Sequence, residues 1–134
     1  MTRTSFARAA LLLATVVPLA VPATASADPT PTRLAVSQTA QFTSTGLIVL
    51  EVTVDCSPGW GFFVNAQVLQ PQGFTQIAGS GSINGQCTGQ HQKLALSVFA
   101  SFFPGWQLGD AVASVTACAQ ICDSATRDIR ITLG

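Results

Sequence analysis

The sequence predicts an all-β fold, an antiparallel sandwich of about seven strands. Three observations predict it. Apolar and polar residues alternate with a period of two along most of the chain after Asp28, the alternating runs are short and are separated by Gly, Pro and Asn, and no segment repeats its apolar residues at the helical period. Short strands with frequent turns are typical of an immunoglobulin-like sandwich, and an up-and-down barrel is the alternative architecture.

The start of the chain predicts an export signal. Two arginines give it a positive end, residues 9–21 are uncharged and rich in Leu, Ala and Val, and residues 25–27 are Ala-Ser-Ala, a small-residue cleavage site. The apolar run is too short to span a bilayer. We therefore expect residues 1–27 to be a signal peptide and residues 28–134 to form a single immunoglobulin-like domain that is secreted into the extracellular space.

The charge composition bears on the class of partner. Charged residues make up 9% of the chain, against ~25% in typical soluble domains. Residues 28–134 carry four basic and six acidic side chains, a net charge of −2 with His91 neutral. Without a basic stripe we expect no binding to nucleic acid and no docking on an anionic membrane. The partner we expect is an extracellular protein, a glycan or a small apolar ligand. We expect the protein itself to be a monomer.

Seven segments have the alternation of strands. The strongest is Leu47–Cys56, where apolar side chains share one face and Glu51, Thr53 and Asp55 share the other. Leu34–Phe42 alternates weakly, which favours an edge strand. The predicted strands are Leu34–Phe42, Leu47–Cys56, Trp60–Leu69, Phe74–Ile83, His91–Ser101, Asp110–Cys118 and Thr126–Leu133.

Turn chemistry predicts where the chain reverses. Gln70–Gly73 contains Pro and Gly and predicts a turn. Asn84-Gly85 is a dipeptide that favours a tight primed turn between two strands. Gly79–Ser82 alternates Gly and Ser and predicts a flexible or bulged strand end. Residues 102–109 are expected to be a loop.

Four cysteines in an exported domain predict two disulfides rather than a zinc site, since paired C-x2-C motifs are missing and the chain has one histidine. If successive strands alternate in direction, the second, fourth and sixth strands end at the same pole. This argument favours Cys56–Cys87 and Cys118–Cys122. An antibody-like Cys56–Cys118 pair, which would leave Cys87 to find Cys122, remains open.

Several short motifs accompany the export signal and the seven-strand pattern. They are Val54-Asp55-Cys56, Gly85-Gln86-Cys87-Thr88-Gly89, Phe103-Pro104-Gly105 and Cys118-x3-Cys122. In these the chain resembles small secreted, immunoglobulin-like actinobacterial proteins that have no assigned function. A more distant likeness is to neocarzinostatin-type apoproteins, which are secreted sandwiches with two local disulfides and an enediyne chromophore in an apolar cleft. The resemblance implies a secreted sandwich and supplies no catalytic residues.

The sequence offers little for catalysis. His91 lies in a polar segment and is expected to be a solvated loop histidine, because a general base needs a nucleophile and usually an orienting acid. The nearby hydroxyl of Thr88 is not distinctive in a chain rich in Ser and Thr. Asp55, Asp123 and Asp128 match no glycosidase pair and no calcium loop. We expect no catalytic residues, no metal site and no cofactor.

The aromatic residues carry the one suggestive pattern. Trp60 and Trp106 each follow a Pro-Gly dipeptide close to a pair of phenylalanines, and strand direction places them at opposite poles. Both are expected to cap the core. Phe63 and Phe99 point away from the apolar faces of their strands and would mark a binding patch if they were exposed together.

These observations predict a non-enzymatic binding or interaction module. Its expected contact surface is the pole that carries the disulfides, with Trp60 and Phe63 as ligand-binding residues and the loops Asn84–Gln90 and Ala119–Ser124 beside them. The alternatives are a secreted inhibitor of an extracellular hydrolase, a carrier of a small apolar ligand and an unrecognised hydrolase.

Overall fold

A computed structural model of the protein describes residues 31–134, and the predicted signal peptide, residues 1–27, lies outside them. The described chain folds into seven β-strands without a helix, which confirms the all-β prediction. The strands are β1 (Arg33–Ser44), β2 (Leu47–Asp55), β3 (Gly61–Gln72), β4 (Thr75–Gln86), β5 (Gln92–Ala100), β6 (Gly109–Cys118) and β7 (Cys122–Thr132).

The strands close into a barrel in the order β1-β2-β5-β4-β3-β6-β7. All neighbours are antiparallel except β1 and β7, which run parallel and pair over three residues, Thr39 to Gln41 of β1. β2 lies between β1 and β5, and β3 lies between β4 and β6. The up-and-down alternative is wrong, because β2 and β3, and likewise β5 and β6, follow one another in sequence without being neighbours. β1 pairs on both sides and is not the edge strand that its weak alternation favours.

The number of paired residues differs between neighbouring strands around the barrel. β3 and β4 pair over twelve residues, whereas β4 and β5 share only Gly79↔Ala100 and Ser80↔Phe99. A Cβ added at Gly79 would lie 2.2 Å from the Phe99 carbonyl oxygen, and one at Gly81 would lie 2.0 Å from the Ser97 carbonyl oxygen. The glycines therefore let the β5 backbone approach β4. The predicted bulge at Gly79–Ser82 is wrong, since the β3–β4 register runs through it without a shift.

Of the predicted turns, Asn84-Gly85 lies inside a strand, whereas Gln70–Gly73 contains the β3–β4 reversal only at its last residue. Asn84-Gly85 belongs to β4 and pairs with Phe63 and Phe62. A Cβ on Gly85 would lie 2.7 Å from Phe62 Cζ, so the glycine makes room for a packed ring and does not form a turn. At the predicted Gln70–Gly73 turn, β3 continues through Pro71, and the chain reverses between Gln72 and Thr75. Pairing of β3 with β6 stops at Leu69, and proline is tolerated where a strand lacks a partner on one side.

The core follows the predicted alternation. Side chains at every second position of β2, β3 and β6 are buried, as are Leu96 and Val98 of β5. Trp106 from the β5–β6 loop is the largest fully buried side chain. The residues without measurable exposure include Ile48, Leu50, Val52, Val54, Val64, Ala66, Val68, Leu96, Val98, Ala113 and Ala117. The residues between them on each strand point outward and form the outer faces of the barrel.

The cysteines gather at one end of the barrel, which we call the disulfide pole. The pairs are Cys56–Cys87, with Cα atoms 5.4 Å apart, and Cys118–Cys122, with Cα atoms 4.0 Å apart. No cysteine is free in residues 31–134. The favoured pairing is confirmed, and the antibody-like alternative is wrong because Cys56 and Cys118 are each bonded to a different cysteine.

Candidate functional site

The two tryptophans have different environments. Trp106 is 1% exposed, and its indole Nε1 donates to the Val98 carbonyl oxygen over 3.1 Å, as expected of a core residue. Trp60 lies just before β3 at the disulfide pole and is 47% exposed. Its carbonyl oxygen accepts a hydrogen bond from the Cys87 amide at 2.8 Å. The expectation that Trp60 caps the core is wrong, and half of its indole faces solvent beside the Cys56–Cys87 disulfide.

Phe63 is also 47% exposed and begins an outer surface of uncharged polar side chains. We call this surface the polar face. In its first row Phe63 pairs with Cys118, which pairs with Cys122. The next two rows run across β4, β3, β6 and β7, and all their side chains are exposed amides or hydroxyls: Ser82, Asn65, Thr116 and Ser124, then Ser80, Gln67, Ser114 and Thr126.

A groove of about 380 Å³ runs along the centre of the polar face. Its lining consists of Phe63, Asn65 and Gln67 from β3 and Ser114, Thr116 and Cys118 from β6. The Thr116 and Ser124 hydroxyl oxygens lie 3.1 Å apart in a hydrogen bond at its edge. The groove therefore combines one aromatic ring with amide and hydroxyl groups, and none of its lining side chains carries a charge.

Phe63 and Phe99 are both exposed, yet they do not share a patch. Phe63 pairs with Asn84 of β4, whereas Phe99 pairs with Ser80 from the other side of the same strand. Asn84 and Ser80 are four residues apart, which is about 13 Å at the usual rise of a strand. The binding patch that would need both phenylalanines is therefore not formed.

One group of charged side chains lies on the outer face of β1, β2 and β5, and a second group lies on β6 and β7, where Arg130 pairs with Asp110. In the first group Arg33 pairs with Asp55, and Thr53 pairs with Lys93. His91 Nδ1 lies 2.6 Å from Asp55 Oδ1, with the histidine side chain 80% exposed and the aspartate side chain 27% exposed. Asp55 Oδ1 is shielded from solvent, and the close contact with His91 does not meet hydrogen-bond geometry. These residues border an open groove of about 500 Å³.

Sequence reasoning missed the Asp55–His91 contact. The signal was present, because Asp55 ends β2 on its polar face and His91 immediately precedes β5, but the antiparallel register that joins these ends cannot be seen in the sequence. The contact gives the histidine an acidic neighbour. Catalysis would also need a nucleophile within reach, and the Thr88 hydroxyl instead accepts a hydrogen bond from the Gln90 amide at 3.3 Å.

The opposite pole carries a second exposed aromatic group. Residues 101–108 form the β5–β6 loop, in which Phe103 is 94% exposed and Phe102 is 64% exposed. The base of this loop is tied down, since the Trp106 amide donates to the Thr45 carbonyl oxygen at 2.6 Å and Gln72 Nε2 donates to the Gly105 carbonyl oxygen at 2.9 Å. The phenylalanines thus project from an anchored loop.

Among residues 31–134, no group of three or more His, Cys, Asp or Glu side chains could hold a metal ion. The same part of the chain contains no helix that is long and apolar enough to cross a membrane.

Comparison with known proteins leaves the site to be interpreted from its own geometry: no protein-family profile matches the chain, and no curated protein matches it.

Proposed function

We propose that this protein is a secreted, non-enzymatic binding module that takes an uncharged ligand on its polar face. The observation that carries the proposal is the groove of about 380 Å³ that joins Phe63 to uncharged amide and hydroxyl side chains. Binding sites typically combine apolar surface with a few polar groups that fix orientation. Trp60, half exposed and three residues before Phe63, is a second contact at the disulfide pole.

Rigidity supports a binding role. The Cys118–Cys122 disulfide closes the β6–β7 hairpin in the same cross-strand row as Phe63. Below the groove β3 and β6 pair without interruption from Phe63 to Leu69. A surface that is already ordered loses little conformational entropy when a ligand binds.

The charge distribution supports the choice of this face over the other one. Arg33, Asp55, His91 and Lys93 border the groove on the outer face of β1, β2 and β5. There Asp55 already faces His91, and an uncharged ligand would compete with water for strongly hydrated groups. The polar face carries no such penalty, and its hydroxyl and amide groups can exchange water for ligand hydrogen bonds.

We also infer that the barrel is an immunoglobulin-like sandwich. Long hydrogen-bonded ladders join the strands into two groups. The first group is β1, β2 and β5, and the second is β4, β3, β6 and β7. The groups meet through two residue pairs between β4 and β5 and three between β1 and β7. Two sheets joined by short seams, with a packed interior, are the arrangement of such sandwiches.

The binding proposal can be tested by NMR with uncharged probes. Nile red and a mixture of neutral oligosaccharides would be titrated into protein labelled with ¹⁵N. We expect at least one probe to shift the amides of Asn65, Gln67 and Thr116. Phe63→Ala should abolish those shifts, and Phe74→Ala, which removes an exposed ring from the β3–β4 turn at the opposite pole, should preserve them. Absence of shifts on this face, or equal shifts in both variants, would refute the proposal.

The second candidate function is inhibition of an extracellular hydrolase. The specific observation in its favour is the anchored loop at the opposite pole, where Phe103 is 94% exposed. An aromatic side chain held out on a rigid loop suits insertion into an apolar specificity pocket. Chymotrypsin is a suitable probe, because its pocket accepts Phe. Inhibition should disappear in Phe103→Ala and persist in Phe74→Ala, which removes another fully exposed ring; cleavage after Phe103 without inhibition would reject this candidate.

A further inference from the structure

We infer that the ligand of the polar face is a neutral glycan chain. The inference rests on the binding function proposed above and names its ligand class. It follows from which groups line the groove, how they are spaced and where the charges lie.

The polar groups of the face match those of a sugar. Each hydroxyl of a glycan donates one hydrogen bond and accepts others, so its partner must offer both roles. Side-chain amides carry a donor NH₂ and an acceptor oxygen, and Ser and Thr hydroxyls do both with one atom. Asn65 and Gln67 are successive outward residues of β3, and Ser114 and Thr116 stand beside them on β6. This paired row of donors and acceptors runs along the groove.

Phe63 supplies the apolar component. A pyranose ring has a face of C–H groups, and covering a half-exposed aromatic ring with such a face removes apolar surface of both partners from water. Phe63 lies at one end of the row of amides, next to the Cys118 side chain. A sugar residue stacked on Phe63 would therefore leave the following residues of the chain over Asn65 and Gln67.

The length of the face favours a chain over a single sugar. Outward positions on β3 continue from Phe63 through Asn65 and Gln67 to Leu69, which is 42% exposed and pairs with Val112. Six residues of strand span about 20 Å. The groove follows this line from Phe63 to Gln67, and the next row, Leu69 and Val112, ends at Asp128. An oligosaccharide can therefore lie lengthwise over the uncharged rows.

Other ligand classes fit less well. An acidic or sulfated polysaccharide needs cations, and the lining of this groove has none. A wholly apolar ligand would cover the Asn65 and Gln67 amides without replacing their hydrogen bonds to water, which is unfavourable. A neutral glycan meets both the ring and the amides.

The test is affinity electrophoresis in native gels that contain dextran, mannan or hydroxyethyl cellulose, with heparin as the charged comparison. We expect at least one neutral polysaccharide to retard the protein and heparin to have no effect. Phe63→Ala should abolish the retardation, and Asn65→Ala and Gln67→Ala should each weaken the apparent affinity roughly fivefold. The controls outside the polar face are Phe74→Ala, in the turn between β3 and β4 at the opposite pole, and Gln38→Ala on β1, and both should bind like the original protein. Thermal melts establish that each variant is folded.

The outcomes separate this inference from the function on which it rests. If no neutral polysaccharide retards the protein but Nile red binds in a way that depends on Phe63, the face is a binding site and the glycan assignment is wrong. If neither probe binds there, both proposals fail. Retardation by heparin, or retardation by a neutral polysaccharide that Phe63→Ala leaves unchanged, also overturns the glycan assignment.

Discussion

The side chain of Gln70 hydrogen-bonds the backbone of Gln107 in both directions: Nε2 donates to the Gln107 carbonyl oxygen at 2.8 Å, and Oε1 accepts from the Gln107 amide at 3.0 Å. Oε1 also accepts from Gln72 Nε2 at 2.8 Å. Gln70 is 2% exposed and points inward from β3. One buried amide therefore ties the end of the β5–β6 loop to the barrel wall.

Replacing Gln70 should destabilise the protein. Gln70→Ala leaves the amide and carbonyl groups of Gln107 without their partners, and unsatisfied buried groups cost about 1–3 kcal/mol each when water cannot reach them. We expect the free energy of unfolding to fall by about 2–3 kcal/mol, as measured by urea denaturation. Gln67→Ala, an exposed glutamine on the same strand, is the control and should change it by less than about 0.5 kcal/mol. Similar effects of the two variants would show that the Gln70 contacts add little.

The two disulfides should contribute unequally. Cys56 and Cys87 are 31 residues apart, and Cys118 and Cys122 are four apart. In the chain-entropy model the longer loop corresponds to about 4 kcal/mol and the shorter one to about 2 kcal/mol. Urea denaturation of the double variants Cys56→Ala/Cys87→Ala and Cys118→Ala/Cys122→Ala should therefore show the larger loss in the first. The reverse order would contradict the loop argument.

Two glycine-to-alanine substitutions should have different effects on the free energy of unfolding. Gly81→Ala places a Cβ 2.0 Å from the Ser97 carbonyl oxygen, so the β4 and β5 backbones must separate, and we expect a loss of about 1–3 kcal/mol or more. Gly46→Ala meets nothing within 4 Å and should be neutral or stabilising by up to about 1 kcal/mol, because alanine restricts the unfolded chain. Differential scanning calorimetry measures both; a tolerated Gly81→Ala would mean that the seam between β4 and β5 is wider than described.

The tryptophans should be distinguishable in solution. Trp106→Ala removes a buried indole and its hydrogen bond to Val98, so it should lower stability by about 3–5 kcal/mol. Trp60→Ala should cost about 1 kcal/mol, since half of that side chain is already exposed. In Trp60→Phe, the remaining Trp106 fluorescence should be blue-shifted and poorly quenched by acrylamide. Strong quenching of Trp106 would contradict its burial.

The inward faces of the strands could be predicted because burial leaves a direct trace in sequence. The alternation from Ile48 to Val54 predicts a buried face, and all four of its apolar residues are fully buried. The disulfide pairing could be predicted for a similar reason, since alternating strand direction depends only on the order of the strands. The half-exposed position of Trp60 could not be predicted, because a tryptophan near a disulfide can equally well pack over the core.

Features that depend on which strands are neighbours could not be predicted from the sequence. Gly85 has the residue preference of a turn, and only the packing of Phe62 against it shows why glycine is needed within a strand. The Asp55–His91 contact requires the register of β2 against β5. The polar face likewise requires β3 and β6 to be adjacent, although the polar side of β3, with Asn65 and Gln67, is visible in the alternation.

The parallel pairing of β1 with β7 means that the described chain enters at the disulfide pole and leaves at the opposite pole. A support attached ahead of Pro31 would hold the barrel by the disulfide pole and present Phe103 outward, whereas attachment after Gly134 would turn Phe103 toward the support. Phe63 and Trp60 lie at the disulfide pole, whereas Asn65 and Gln67 continue the polar face along the side of the barrel. Immobilisation by one end and then by the other would therefore switch any activity of Phe103 on and off, and binding at Phe63 is best measured with attachment after Gly134.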